Sequence, residues 1–368
     1  MGLQPGSLPD FPWDSLAPYR QTAARHDGGI VDLSVGTPVD PTPLAVREAL
    51  IAAADSPGYP TTHGTAALRE AVVAWFARRR GVEGLDPAAV LPTVGSKEFV
   101  ALAPALLGFG EGDVIVHPTV AYPTYDVGAR LAGATPLPAD APAQWVDVPG
   151  VRAVWVNSPS NPTGAVASAD ELAAVVEAAR SIGAVVLSDE CYAELTWDGP
   201  AVSILDPRVC GGSTQGVVAV YSLSKQSNLA GYRAAFAAGD AEVISRLLEV
   251  RKHAGFIVPG PIQAAMAAAL ADDAHVATQR ELYGRRRAAL ASALSNAGMR
   301  VDHSQAGLYL WATRGEDCWA TIEWLAGLGI LAAPGAFYGE AGRQHVRIAL
   351  TATDERINAA AIRITNAR

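Results

Sequence analysis

The chain has 368 residues, half of them hydrophobic and 18% charged, with a formal net charge of -9 and a pI near 5.3. That length gives room for about two domains, and so apolar a composition argues against disorder. The acidic balance argues against nucleic acid as the main partner, because phosphate binding needs a basic face.

No basic region followed by an apolar stretch opens the sequence, so no secretory signal is expected. Apolar runs such as Phe99 to Phe109 are too short to cross a bilayer, and no membrane partner is expected. Cys191, Cys210 and Cys318 are scattered without CxxC spacing and read as reduced thiols of a cytoplasmic protein. The histidines show no metal-ligand spacing, so no metal site is expected.

In chain order, residues 1 to about 30 carry Pro5, Pro9, Pro12 and Pro18 and little periodicity. Phe11-Pro12-Trp13-Asp14 reads as an arm lying on another surface, and residues 1–8 as a tail. Ile30 to Pro38 is a short strand running into a Gly36-Thr37-Pro38 turn, where glycine permits close backbone approach. Pro43 opens a helix. Tyr59 lies in a Gly/Pro-rich loop, and Thr65 to Arg80 reads as an amphipathic helix. Its last three residues, Arg78, Arg79 and Arg80, are expected to be solvated at the negative end of the dipole.

Val90 to Val94 is a strand, followed by a Gly95-Ser96 turn and an apolar helix over Phe99 to Leu107. The first amides of that helix, at Ser96 and Lys97, are the best phosphate cradle in the chain. Gly108 to Gly112 follows a helix and lacks the GxGxxG order, so it reads as a loop. Asp113 to Pro118 is the next strand, with Tyr122 beyond it. Arg152 to Val156 is a buried-type strand ending in the turn-rich stretch Asn157 to Gly164. Ser168-Ala-Asp-Glu171 is a capping box that opens a helix running to about Ile182.

Ala184 to Asp189 is a strand with an acid at its end, followed by Tyr192. Gly216 to Val220 leads into Tyr221-Ser222-Leu223-Ser224-Lys225, with Gly231 and Arg233 further on. A lysine ammonium has a pKa of ~10.4 and is a poor nucleophile until burial or a nearby cation, here Arg233, lowers it. Taken alone, Lys225 reads more readily as an ordinary surface lysine than as a reactive one. Tyr232 to Ala238 is a further strand, Asp240 to Lys252 a helix, and Pro259-Gly260-Pro261 a break before two more helices. Gly307 to Trp311 and His345 to Leu350 alternate as strands do, with Arg347 between apolar neighbours. Strands alternating with helices imply an α/β fold with a mostly parallel sheet covered on both faces.

Ser222-x-x-Lys225 followed by Gly231-x-Arg233 resembles the lysine signature of the fold-type I, class I/II pyridoxal-phosphate aminotransferases. The stretch Asn157-Ser-Pro-Ser-Asn161-Pro-Thr-Gly164 is similar to the family's Asn-Pro-x-Asn-Pro-Thr-Gly, with Ser158 intervening. The resemblance implies a large cofactor-binding domain over residues 41–275, a smaller α+β domain over 276–368, and an arm over 1–40. It implies that Lys225 carries pyridoxal 5'-phosphate and acts as general base. It places the phosphate on Ser96, Lys97, Ser222, Ser224 and Arg233, with Tyr59 reaching across a homodimer. It further implies that Tyr122 stacks on the ring, Asp189 faces the ring nitrogen, and Asn161 and Tyr192 face the phenolic oxygen. Gly36, Asn161 and Arg347 then face the substrate.

Pro9-Asp-Phe-Pro-Trp-Asp14 and Gly95-Ser-Lys-Glu98 make the chain most like bacterial N-succinyldiaminopimelate aminotransferases of lysine biosynthesis. Such a substrate has distant carboxylates, for which Lys97, Arg20 and Lys252 are candidate cations. Within the family the same lysine also serves other chemistry, so another aminotransferase or a C–S lyase is an alternative. A ligand-sensing effector domain is a remoter one, since no basic winged-helix segment accompanies the chain.

Overall fold

The computed structural model describes residues 8–367, so the expected tail lies outside the described residues apart from Leu8. The strands in chain order are β1 (Val31–Asp32), β2 (Val90–Val94), β3 (Val114–His117), β4 (Thr135–Pro138), β5 (Val151–Asn157) and β6 (Val185–Asp189). They continue as β7 (Val217–Ser222), β8 (Ala234–Gly239), β9 (Arg300–Asp302), β10 (Tyr309–Thr313), β11 (Ile330–Leu331), β12 (Ala333–Pro334) and β13 (Val346–Ala349).

Seven strands form one sheet in the order β2-β8-β7-β6-β5-β3-β4. Strands β7, β6, β5, β3 and β4 are mutually parallel, while β8 runs against both of its neighbours. Every residue of β7 and β8 is buried, which is why these strands are continuous apolar or small-residue runs. Two apolar layers cover the sheet. On one face Trp75, from the helix Ala66–Arg80, packs its ring 4.4 Å from Tyr221 and 5.9 Å from Phe236. Aromatic contacts of this kind contribute about 0.5–1.5 kcal/mol beyond area burial. They anchor the end of β7, one residue before Ser222.

Helix starts follow the capping chemistry. Thr65 accepts from the Leu68 N–H, Asp240 from the N–H groups of Glu242 and Val243, and Ser168 with Glu171 completes a capping box. The expectation that Arg78–Arg80 are solvated holds for Arg78 and Arg79, which are exposed, and is corrected at Arg80, which is buried. Arg78 bonds Asp273 at 2.8 Å, Arg79 bonds Glu194 at 2.5 Å, and the buried Arg80 lies 3.7 Å from buried Glu190. The three do fall in the last turn of the helix, but their partners come from far along the chain, so the helix end is also a tertiary junction. Strand β8 starts at Ala234 and not at Tyr232, because Arg233 is left-handed (φ +55°) and breaks the extended run.

A second, four-stranded antiparallel sheet has the order β12-β13-β10-β9. Its core combines Leu290, Leu310, Ile348 and Ile364 with Leu16, Val31 and Leu33 from the N-terminal segment. Strand β1 pairs in parallel with β11, tying that segment to the same unit. We propose from this packing the partition 1–40, 41–275 and 276–368, with the arm belonging to the smaller domain. Within the arm, Trp13 packs its ring 5.2 Å from that of Phe337, the planes tilted by 51°. No helix among the described residues is long and apolar enough to cross a membrane. No cluster of potential metal ligands occurs among them either.

Candidate active site

Strand direction and register assemble the site at one sheet edge. Because β8 is antiparallel to both neighbours, β2 and β7 end at the same edge as β3, β5 and β6, where α/β folds place ligands. Val94 pairs with Ala234, which sets Gly95 and Ser96 beside Arg233. Ser222 pairs with Ala235, which brings the hydroxyls to the other side of the same arginine. Asn157 pairs with Asp189 on the neighbouring strands.

The helix Ser96–Leu106 has Gly95 at its N-cap (φ +78°), and no side chain caps it. Its first amides are therefore left for an anion. A Cβ at Gly95 would overlap the Arg233 guanidinium, so glycine is what lets the arginine lie against this turn. Arg233 itself holds a left-handed backbone and donates to the Ala230 carbonyl at 2.8 Å. Non-glycine residues in that conformation carry strain and concentrate at functional sites. Ser222 Oγ accepts from the Ser224 N–H at 3.2 Å and lies 2.9 Å from Ser224 Oγ. Amides, two hydroxyls and a guanidinium thus lie at the ends of neighbouring strands on one sheet edge, which is the chemistry a phosphate cradle needs.

Lys225 follows in the short helix Leu223–Gln226. It is half-buried and its ammonium donates to the Gly36 carbonyl. Burial pushes its pKa below the ordinary value, with the Arg347 and Arg233 charges acting in the same direction. Gly36 is buried, and a Cβ there would overlap the Tyr309 hydroxyl. This close approach accounts for glycine at the turn after β1.

Asp189 ends β6, fully enclosed. Its carboxylate accepts from Tyr125 Oη at 2.9 Å and from the Cys191 N–H at 3.1 Å. Burial raises its pKa. Among the described residues no Lys, Arg or His pairs with it. Arg347, on β13, is the opposite case. It is 3% exposed and donates to Asn161 Oδ1 at 2.9 Å and to the Ser34 carbonyl at 2.8 Å. Its guanidinium carbon sits 3.9 Å from the Tyr309 ring centre and 4.9 Å from that of Tyr338. Its buried Nε finds no partner, and no carboxylate pairs with it among the described residues. A buried charge without a counter-charge is costly, so both groups fit ligand groups of opposite sign.

Tyr192 is buried, with its hydroxyl 3.1 Å from that of Tyr309. Burial raises the Tyr309 phenol, but the Arg347 and Lys225 charges outweigh it and leave the net value lowered. Tyr122 is half-buried at the cleft, and burial pushes its phenol up to about 12. Tyr59 stands fully exposed, outside this cleft. Of the three cations considered for a distal carboxylate, Lys97 lies 6.0 Å from the Tyr122 ring. Arg20 is paired with Asp32 and Lys252 with Glu249 on its own helix.

The structure adds residues that sequence reasoning missed. Tyr309 lies inside a strand that was read, but nothing in its alternation singles it out. Tyr125, Tyr338 and Ser34 act through contacts that no local pattern reveals.

These residues fit pyridoxal phosphate group by group. The cradle suits its phosphate; Asp189, with no cationic partner among the described residues, its ring nitrogen; Asn161 and Tyr192 its phenolic oxygen; and Lys225 its aldehyde. Comparison with known proteins agrees. A family profile described as "Aminotransferase class I and II" matches residues 29–364. The chain is similar to 4-dedimethylamino-4-oxo-anhydrotetracycline transaminase OxyQ of Streptomyces rimosus, 60% identical over 97% of this chain and 99% of that one. It is similar to "Probable aminotransferase Rv1178" of Mycobacterium tuberculosis, 59% identical over 98% of this chain and 86% of that one. Among solved structures, one titled "probable N-succinyldiaminopimelate aminotransferase", from Thermus thermophilus, superposes with a TM-score of 0.86 at 32% identity, covering 97% and 100% of the two chains.

Proposed function

The chain belongs to the class I and II aminotransferases, which depend on pyridoxal phosphate, and from that premise we propose that its amino donor is N-succinyl-L,L-diaminopimelate, with 2-oxoglutarate as acceptor. The observation that carries the site assignment is a pair of buried opposite charges, Asp189 and Arg347, each lacking a charged partner among the described residues, together with a half-buried lysine of lowered pKa. The substrate assignment rests on the Thermus structure's title and on Lys97 at the cleft.

Bound pyridoxal phosphate supplies an electron sink when the substrate's Cα–H bond breaks. Asp189 would keep the ring nitrogen protonated, which that role requires. Ser96, Lys97, Ser222, Ser224 and Arg233 would hold the phosphate, and Tyr122 would lie against the ring. Arg347 grips the substrate α-carboxylate with its free N–H groups, its plane fixed between Tyr309 and Tyr338. Gly36 lines the same end. Lys225 would hold the cofactor's aldehyde and, as the free amine, would take up the proton from substrate Cα. Its lowered pKa leaves a larger fraction as free amine near neutrality, the form a general base needs.

The exposed Tyr59, together with exposed Leu44 and Ile51, supports a homodimer in which Tyr59 serves the partner's phosphate. Three buried, unpaired cysteines support a cytoplasmic location.

Arg347→Met is expected to lower kcat/KM for α-amino acids on the order of a hundredfold, through loss of the charge-assisted pair. Steady-state kinetics with glutamate checks this, and a change under about threefold would remove Arg347 from the carboxylate site.

One observation favours a second reading. The relative at 60% identity is named for an oxo-anhydrotetracycline substrate, which is polycyclic. The test supplies N-succinyl-L,L-diaminopimelate with 2-oxoglutarate and measures glutamate. The proposal expects it to exceed alanine by at least about tenfold in kcat/KM. Transfer to a polycyclic ketone alone would favour the second reading. Pyruvate and ammonia from cystathionine would indicate a C–S lyase.

A further inference from the structure

Glu98 occupies the first turn of the helix Ser96–Leu106, the helix whose N-terminus forms the cradle. Its carboxylate turns back and accepts from the Val94 N–H at 3.2 Å. That bond closes the Val94–Gly95–Ser96 turn from behind, so it sets the direction of the amides at Ser96 and Lys97. The arrangement carries a penalty. A carboxylate beside a helix N-terminus competes for the same positive potential that an incoming phosphate needs.

Arg251 removes that penalty. It comes from the helix Ala241–Ala254, and its side chain is 0% exposed. Its two terminal nitrogens meet Glu98 in parallel, Nη1 to Oε1 at 2.7 Å and Nη2 to Oε2 at 3.0 Å. The Phe256 ring lies 5.1 Å from the guanidinium carbon. Arg251 bonds Glu98 from behind the turn and takes no place in the convergence of Ser96, Ser222, Ser224 and Arg233.

The geometry points to Glu98 and Arg251 as positioning residues of the phosphate cradle. Glu98 fixes the turn, and Arg251 cancels the Glu98 charge so that a dianion can occupy the same helix end. This rests on the reading of Ser96–Lys97 as the phosphate site. Loss of Arg251 leaves a carboxylate facing the phosphate across one turn of backbone in a low-dielectric environment, where like charges repel strongly.

The test strips the cofactor from the full chain and titrates it with pyridoxal phosphate and, separately, with pyridoxal, which lacks the phosphate. The readout is the ratio of the two dissociation constants. In Arg251→Met the preference for pyridoxal phosphate is expected to fall by at least about tenfold, with pyridoxal binding little changed. In Glu98→Gln the preference stays at or above the parent's. The double variant Glu98→Gln with Arg251→Met recovers the parent ratio within about threefold. A role limited to folding would weaken both ligands alike.

An unchanged ratio in Arg251→Met, or a double variant as poor as the single one, overturns the proposal. Should Arg251→Met not fold, the double variant decides: a parent-like ratio supports charge compensation and a tenfold drop overturns it. A parent chain that binds pyridoxal and pyridoxal phosphate equally would instead show that the cradle reading has failed, and this proposal with it.

Discussion

Replacing Lys225 with alanine is expected to reduce amino transfer by about 10⁴-fold or more, the scale seen when an essential covalent group is removed. The proposed mechanism puts two roles on the one side chain: holding the cofactor's aldehyde and moving the Cα proton. No neighbour substitutes. The other lysines are Lys97, exposed at the cleft, and Lys252, ion-paired to Glu249 on its own helix. The loss is expected in kcat, with the phosphate cradle untouched, so the variant still takes up pyridoxal phosphate. Single-turnover absorbance of the variant, mixed with glutamate, separates the two effects. Retention of cofactor with a collapsed rate is the expected result, and normal turnover would remove Lys225 from the chemistry.

Asp189→Asn is expected to lower kcat by about 10³-fold, comparable to or larger than the loss of one preorganised electrostatic group elsewhere. The amide is nearly isosteric: its oxygen can accept from the Cys191 N–H while its NH2 donates to Tyr125 Oη, so packing is kept while the charge is lost. Stability is expected to move the other way. Burial raises the Asp189 pKa in the cofactor-free fold, so the ionised carboxylate destabilises that fold at pH values above its unfolded pKa. Asparagine relieves this near neutrality and confers no relief once the pH falls below the unfolded value. The cofactor-free variant should therefore melt no lower than the parent at pH 7, while activity collapses. A variant that lost both together would place Asp189 among structural residues.

Much of the site was legible because it lies where strands end. Asp189, Ser222 and Gly95 follow apolar runs whose boundaries the sequence marks; parallel pairing brings the first two together, and β8, antiparallel to both neighbours, carries the end of β2 to the same edge. The direction of β8 was not legible, since an all-buried run such as Ala234–Gly239 reads the same in either sense. Nor was the fate of Arg78–Arg80, whose partners Asp273, Glu194 and Glu190 lie more than 100 residues away. Tyr309 and Tyr338 became visible only when β13 brought Arg347 between their rings. The Glu98–Arg251 pair was hidden for the same reason: a glutamate in a helix's first turn satisfies the local rule by itself. Substrate choice is the least legible layer. It depends on which cations reach the cleft, and of Lys97, Arg20 and Lys252 only Lys97 lies near Tyr122.

The central claim is that Lys225 is the residue bonded to the cofactor, and three lysines in the whole chain make it directly testable. The protein, purified with pyridoxal phosphate, is reduced with borohydride, digested and mapped by mass spectrometry. The account predicts a pyridoxyl group on the peptide containing Lys225 and none on those containing Lys97 or Lys252. A label on either of those two, or no label on any lysine, would contradict it.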